Sequence, residues 1–214
     1  LMLGIVTTSI FSGKAISKTG KYKKFPIMGT TLMTVGILLM VTLTRETPFW
    51  QLSIFSILVG AGLGLSMQTI VIALQNSVDF KDMGVATSSN TFFRSLGSVF
   101  GTALFGSILT NRVTHYLESG FNELSTTNPA AVSGFDPATL EQLSSNTSVL
   151  KELPLLVQNT ALDAFVNSFH VVFLAAAPVT ALGIVLALML REAPLRTNQD
   201  YAAAREDAAG EALG

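Results

Sequence analysis

The sequence runs to 214 residues, 49% of them hydrophobic and only 13% charged, with a mean hydropathy of +0.52. Soluble domains carry about 25% charged residues, so this composition excludes an ordinary water-soluble domain and points to a membrane protein. The net charge of -1 offers no surface for nucleic acid, and with no cysteine the chain has no disulfide, thiolate metal site or cysteine nucleophile.

Residues 1–12, LMLGIVTTSIFS, are apolar but too short to cross a bilayer, which takes about 20 residues. No charged stretch precedes them, so they do not read as a signal peptide. They read as the end of a helix that begins upstream, which makes the chain the C-terminal part of a longer protein. Residues 13–24, GKAISKTGKYKK, hold five lysines and no acid. Basic turns stay on the cytoplasmic side, so this is expected to be an inner turn. Phe25–Thr44 is an unbroken apolar run of spanning length, and RETPF at 45–49 is a tight outer turn broken by Pro48. Trp50 is placed as an interfacial anchor for the next helix.

That helix, from Gln51 to about Val78, returns inward. Asp79, Lys81 and Asp82 make a second inner turn (79–83), and a span from Gly84 to about Thr110 crosses outward. Both helices carry polar stripes. Gly60, Gly64, Gln68, Ile72 and Gln75 share one face of the first, and Thr87, Asn90, Arg94, Gly97 and Gly101 share one face of the second. Gly60, Gly64, Gly97 and Gly101 are candidates for close helix packing. Arg94 lies about ten residues into its span, roughly 15 Å along the axis and so near mid-bilayer. A lone arginine there costs about 3 kcal/mol on the insertion scale, so it is expected to face protein or water. Two readings stay open: a clamp on helix-end carbonyls or a carboxylate, or a lining residue of a substrate or ion pathway.

Residues 111–161 read as an extracytoplasmic segment. Asp136-Pro137 followed by ATLE is the start of a short helix to about Ser145, with an N-cap and proline at the first helical position. Asn146-Thr147-Ser148 matches a glycosylation sequon by chance, and Pro154 leads into the last helix. Residues 162–190 hold the last span, free of formal charge between Asp163 and Arg191, and 191–214 form a charged, alanine-rich tail. The topology can be checked against charge. Nine of the 13 basic residues fall inside: Lys14, Lys18, Lys21, Lys23, Lys24, Lys81, Arg191, Arg196 and Arg205. Arg45, Arg112 and Lys151 fall outside, and Arg94 is left in the membrane. The expected architecture is an all-α membrane protein with four complete transmembrane helices and one partial helix. It would sit in a cell membrane, a bacterial plasma membrane in character, with a cytoplasmic C-terminus.

Four stretches together resemble the C-terminal bundle of fourteen-helix drug/proton antiporters of the major facilitator superfamily, the EmrB/QacA type. Gly13–Lys24 is similar to that superfamily's inner-loop motif, with Gly13, Lys18, Gly20 and Lys21 fitting it and Ser17 standing where the motif has aspartate. Gly62–Val78, Asp82–Gly106, and Asp163–Arg196 with its LREAPLR exit resemble the family's last three helices. The resemblance implies export of amphipathic or cationic compounds by proton antiport, with two bundles rocking around a midplane cavity. It implies a small-molecule substrate, protons as coupling ion, the lipid bilayer and the N-terminal half of the same chain as partners. It also gives Asp82, with the basic motif, a part in closing the inner gate.

The residues themselves leave alternatives. Gln68, Gln75, Asn76 and Asn90 can line a path or act as interhelical glue worth about 1 kcal/mol per contact. His170, one to two turns into the last helix, can carry a proton or pack through a hydrogen bond. No Asp or Glu lies well inside a span, so the coupling carboxylate is expected outside this chain. No cofactor, metal cluster or catalytic set is visible, so an enzyme is not expected. The competing functions are an exporter of one dedicated metabolite or lipid, and a membrane sensor or anchor acting through its outer segment.

Overall fold

The computed structural model describes residues 1–129 and 154–195. All regular structure among them is helical: α1 (Met2–Thr19), α2 (Lys24–Met40), α3 (Phe49–Ser77), one 3-10 turn (Phe80–Asp82), α4 (Met83–Thr127) and α5 (Leu155–Met189). The helix expected from Asp136 and the tail beyond Leu195 lie outside the described residues. The chain divides into two units. The first is Leu1–Gly36, Ser53–Val99 and the part from Pro178 onward, and the second is Ile37–Leu52 with Phe100–Ala177.

The chain is an all-α membrane protein, but its helices are not cut where charge alone would cut them. Three helical stretches among the described residues are long and apolar enough to cross a membrane: Phe49–Ser77, Phe80–Thr127 and Leu155–Met189. This is one fewer than the four complete spans expected. The run expected at 25–44 is helical only over the 17 residues Lys24–Met40. Past Met40 the amides of Val41, Thr42 and Leu43 bond three residues back, to Leu38, Leu39 and Met40 at 3.2, 3.0 and 3.3 Å. The Thr42 hydroxyl also donates to the Leu39 carbonyl at 2.7 Å. A β-branched pair and a competing hydroxyl tighten the last turns out of the α-helical pattern.

The basic stretch at 13–24 is likewise not all turn. Helix α1 runs on through Thr19, because Lys14, Ala15, Ile16 and Lys18 favour helix and Ile16 is 1% exposed. Gly20 then ends it in the left-handed region (φ 67°), its amide donating to the Ile16 carbonyl at 2.8 Å. The turn proper shrinks to 20–23.

In the first unit α3 is the central helix. Of the most apolar stretch of each spanning helix, 39% is buried in α3, against 11% in α5 and none in α4. Ile16, Tyr22 and Ala73 form this unit's buried cluster, with Phe25, Ile72, Leu190 and Leu195 packed on it.

In the second unit the segment expected at 111–161 begins as helix. Helix α4 is 45 residues long, roughly 68 Å at 1.5 Å per residue, more than twice a hydrocarbon core of about 30 Å. It therefore continues well past the apolar run. Its charged half carries a stripe, Val113, Leu117, Phe121 and Leu124, at the three-to-four-residue spacing that defines one helix face. The stripe packs on Val157, Ala161 and Ala164. Those residues lie in α5, which starts at Leu155 rather than near 162, so Asp163 is inside the helix and not at its start. Arg45 Nη1 is 3.3 Å from Asp163 Oδ2, with the two side chains 35% and 56% exposed. Ion pairs this open contribute about 0.2–1 kcal/mol. Asp163→Asn in the full-length protein is thus expected to shift the thermal midpoint by less than about 4 °C, measured by thermal unfolding in detergent; a larger drop would make this pair a structural tie.

Candidate functional site

Small residues let α3 touch its neighbours on two sides. A β-carbon on Gly60 would strike the Leu1 carbonyl oxygen, and one on Gly64 would strike Thr8 Oγ1 and the Ile5 carbonyl. From the other side, a β-carbon on Gly4 would meet the Ile57 carbonyl and, at 2.8 Å, the Ala61 amide nitrogen. Hydroxyls cross the same seam: Thr8 donates to the Ala61 carbonyl at 2.9 Å and Ser9 to the Gly64 carbonyl at 3.2 Å. The second seam, to α2, is made by Gly62 and Ser66. A β-carbon on Gly62 would lie against the Gly29 carbonyl and 2.7 Å from the Met33 amide nitrogen. Gly62, two residues from both Gly60 and Gly64 and on another face, was not part of the stripe read from sequence.

The polar residues along α3 are not gathered at one point. Gln68 is exposed, its Cγ 3.9 Å from where a β-carbon on Gly13 would stand, and Gln75 is half-buried. Asn76 is 8% exposed and donates to the Pro194 carbonyl at 3.0 Å. On α4, Asn90 is half-buried, while residues 91–100, Arg94 among them, are all exposed in this chain. The Thr87 and Thr91 hydroxyls bond their own helix, to the Met83 and Thr87 carbonyls at 2.8 and 3.1 Å. Among the described residues Arg94 has no hydrogen-bond or ion-pair partner, and β-carbons on Gly97 or Gly101 would meet nothing within 4 Å. Any surface that covers this face lies outside the described residues.

The inner-loop residues are also spread out. Gly13 and Lys18 are helical, Gly20 is the left-handed cap, and Lys18, Lys21 and Asp82 are exposed. Asp82 forms no ion pair with Lys18 or Lys21 among the described residues.

His170 sits in the second unit, where its Nε2 meets the Leu43 carbonyl. The ring borders an almost wholly apolar cavity of about 330 Å³, lined by Met40, Leu43, Leu52, Val166, Phe169 and Phe173 among others. Phe169 and Phe173 stack there with centroids 6.1 Å apart. A second cavity of about 410 Å³, with mixed polar and apolar walls, lies between the charged half of α4 and the start of α5, and includes Tyr116, Glu123, Thr160, Asp163 and Asn167. Glu123 falls in the segment expected to be extracytoplasmic, and Asp163 at the expected boundary of the last span. Their convergence depends on the 113–124 stripe, which was the available signal.

Comparison with known proteins gives the family of the chain. The chain is 39% identical over 202 residues to an uncharacterised MFS-type transporter of Mycobacterium tuberculosis, covering 94% of this chain and 28% of the relative. It is 29% identical over 225 residues to a tetracycline resistance determinant of Streptomyces rimosus, covering 98% and 64%. It is also 29% identical over 205 residues to the multidrug transporter protein MdtP of Bacillus subtilis, covering 89% and 38%. The chain thus spans between 28% and 64% of the length of these relatives. No solved structure matches it. The family profile runs over residues 1–117, through α1, α2 and α3 and into the charged half of α4, and by that match the chain belongs to the Major Facilitator Superfamily.

Proposed function

We propose that this chain is part of a secondary active exporter of amphipathic or cationic compounds, driven by proton antiport and working by alternating access, and not of an enzyme. The observation that carries the reading is the face of α4 on which Asn90 and Arg94 stand. A helical stretch apolar enough for a membrane carries an exposed cation in its first third, with no partner among the described residues. Hydrocarbon is a costly neighbour for such a group, so protein or a water-filled pathway is the environment it fits. The substrate class is supported by similarity to a tetracycline resistance determinant and a multidrug transporter along most of this chain.

In this reading Gln68, Gln75, Asn90, Arg94 and His170 border the pathway or brace it. Gly97 and Gly101 pack against helices outside this chain. The lysine-rich end of α1 with Asp82 faces the cytoplasm of a bacterial plasma membrane, as does the C-terminus, and the charged half of α4 lies outside. The coupling carboxylate is on another part of the full-length protein.

The test is ethidium efflux from cells expressing the full-length protein, with and without a protonophore. Efflux above the empty-vector level that the protonophore abolishes is the expected result. Efflux that persists without a proton gradient would overturn proton coupling. None from a well-expressed protein would remove the multidrug reading and leave export of one dedicated substrate.

A further inference from the structure

The exit of α5 does not leave the first unit freely. After Met189 the chain runs without regular structure through Arg191–Leu195 and lies across the ends of α1 and α3. Tyr22, in the short turn between α1 and α2, is 2% exposed. Its hydroxyl donates to the Arg191 carbonyl at 3.1 Å and accepts from the Ala193 amide at 3.0 Å. One residue further on, the Asn76 amide donates to the Pro194 carbonyl. Leu190 and Leu195 flank these bonds and pack on Ile16, Tyr22 and Ala73.

Two properties make this more than an ordinary chain end. The bonds read backbone groups in a fixed register, so a slip of one residue loses the Tyr22 pair together. Among the described residues the segment also has no helical ladder of its own: the Tyr22 and Asn76 bonds and two partly buried leucines hold it, whereas the helices beneath it are held by their own ladders and by the glycine seams. Segments with few buried contacts open at much lower free energy than the elements they cover. We propose that residues 190–195 form a clasp, closed by Tyr22 and Asn76, that opens without unfolding the helices beneath it and uncovers the apolar patch around Ala73. It is a switch on the exit of the last helix. Tyr22 is its positioning residue, acting through the segment it holds.

The chain contains no cysteine, so a single reporter can be placed under the clasp. Ala73→Cys is a small change at a position 7% exposed, made in the full-length protein with any cysteines outside this chain replaced. Its reaction with a charged, membrane-impermeant methanethiosulfonate reports the open population when opening and closing are fast against labelling. The wild-type background is expected to label slowly. Tyr22→Phe, which keeps the ring and removes both hydroxyl bonds, is expected to raise the rate about tenfold, equivalent to roughly 1.4 kcal/mol. Asn76→Ala is expected to raise it as well. Ser12→Cys, a near-isosteric reporter at a fully buried site on α1, serves as the control and is expected to stay unreactive in both backgrounds. Equal Ala73→Cys rates with and without the Tyr22 hydroxyl would overturn the clasp. So would parallel acceleration at Ser12→Cys, which would mean that the hydroxyl holds the whole unit together.

Discussion

Arg94→Ala in the full-length protein is expected to cut ethidium export at least tenfold while the amount in the membrane stays the same or rises. The two halves of this expectation come from one argument. With the span taken to begin at the start of α4, an arginine about eleven residues in is roughly 16 Å along the helix, near the middle of a core about 30 Å thick. It costs about 3 kcal/mol to insert, and alanine removes that cost, so insertion does not suffer. What is lost is the charge and its donors, on the face that also carries Asn90 and Thr87. Arg94→Lys separates two roles. Lysine keeps the charge as a point but not the planar fork. If Arg94 sets the charge of a pathway, Arg94→Lys keeps much of the transport; if it clamps a carboxylate or helix-end carbonyls in two-point fashion, Arg94→Lys behaves like Arg94→Ala. Undiminished efflux from Arg94→Ala would sink the proposal that this face serves transport.

How much of this was legible in the sequence depends on whether a feature is local. The stripe of Gly60 and Gly64 follows from spacing along one helix, and the polar face of α4 follows in the same way. Gly62 stands off that stripe, because α3 packs on two sides and Gly62 faces α2 while Gly60 and Gly64 face α1. The helical ends hid behind charge. Lysines at 14 and 18 and the acid at 118 suggested turn and loop, yet they are exposed side chains of helices whose inner faces are apolar, at Ile16 and along Val113, Leu117, Phe121 and Leu124. Contacts between distant residues left no trace at all. Arg45 and Asp163 are 118 positions apart, and Tyr22 is 169 from Arg191. Nothing in a single sequence couples such pairs, because either residue alone reads as an ordinary surface or turn side chain.

The second large effect is structural. Gly62→Leu is expected to abolish folded full-length protein in the membrane, and Gly62→Ala to destabilise it by about 1–3 kcal/mol, the usual range for an overfilled interior. Alanine would gain up to about 1 kcal/mol in helix propensity over glycine, but what it meets is backbone. The Gly29 carbonyl and the Met33 amide nitrogen, the latter at 2.7 Å, cannot swing aside as a side chain would. Between helices in lipid, packing of this kind is the main attraction, since hydrocarbon solvates apolar side chains as well as protein does. Gly29→Ala attacks the same seam from α2, where its β-carbon would meet Ser66 Oγ and, at 2.6 Å, the Gly62 carbonyl. One outward shift of α2 from α3 relieves both clashes. The double variant Gly29→Ala/Gly62→Ala is therefore expected to cost less than the sum of the two single changes, as coupled neighbours do. Thermal unfolding of the four proteins in one detergent measures this. Costs that simply add would show two independent contacts instead of a shared seam, and no loss from either single change would mean that α2 and α3 are not in contact at these glycines.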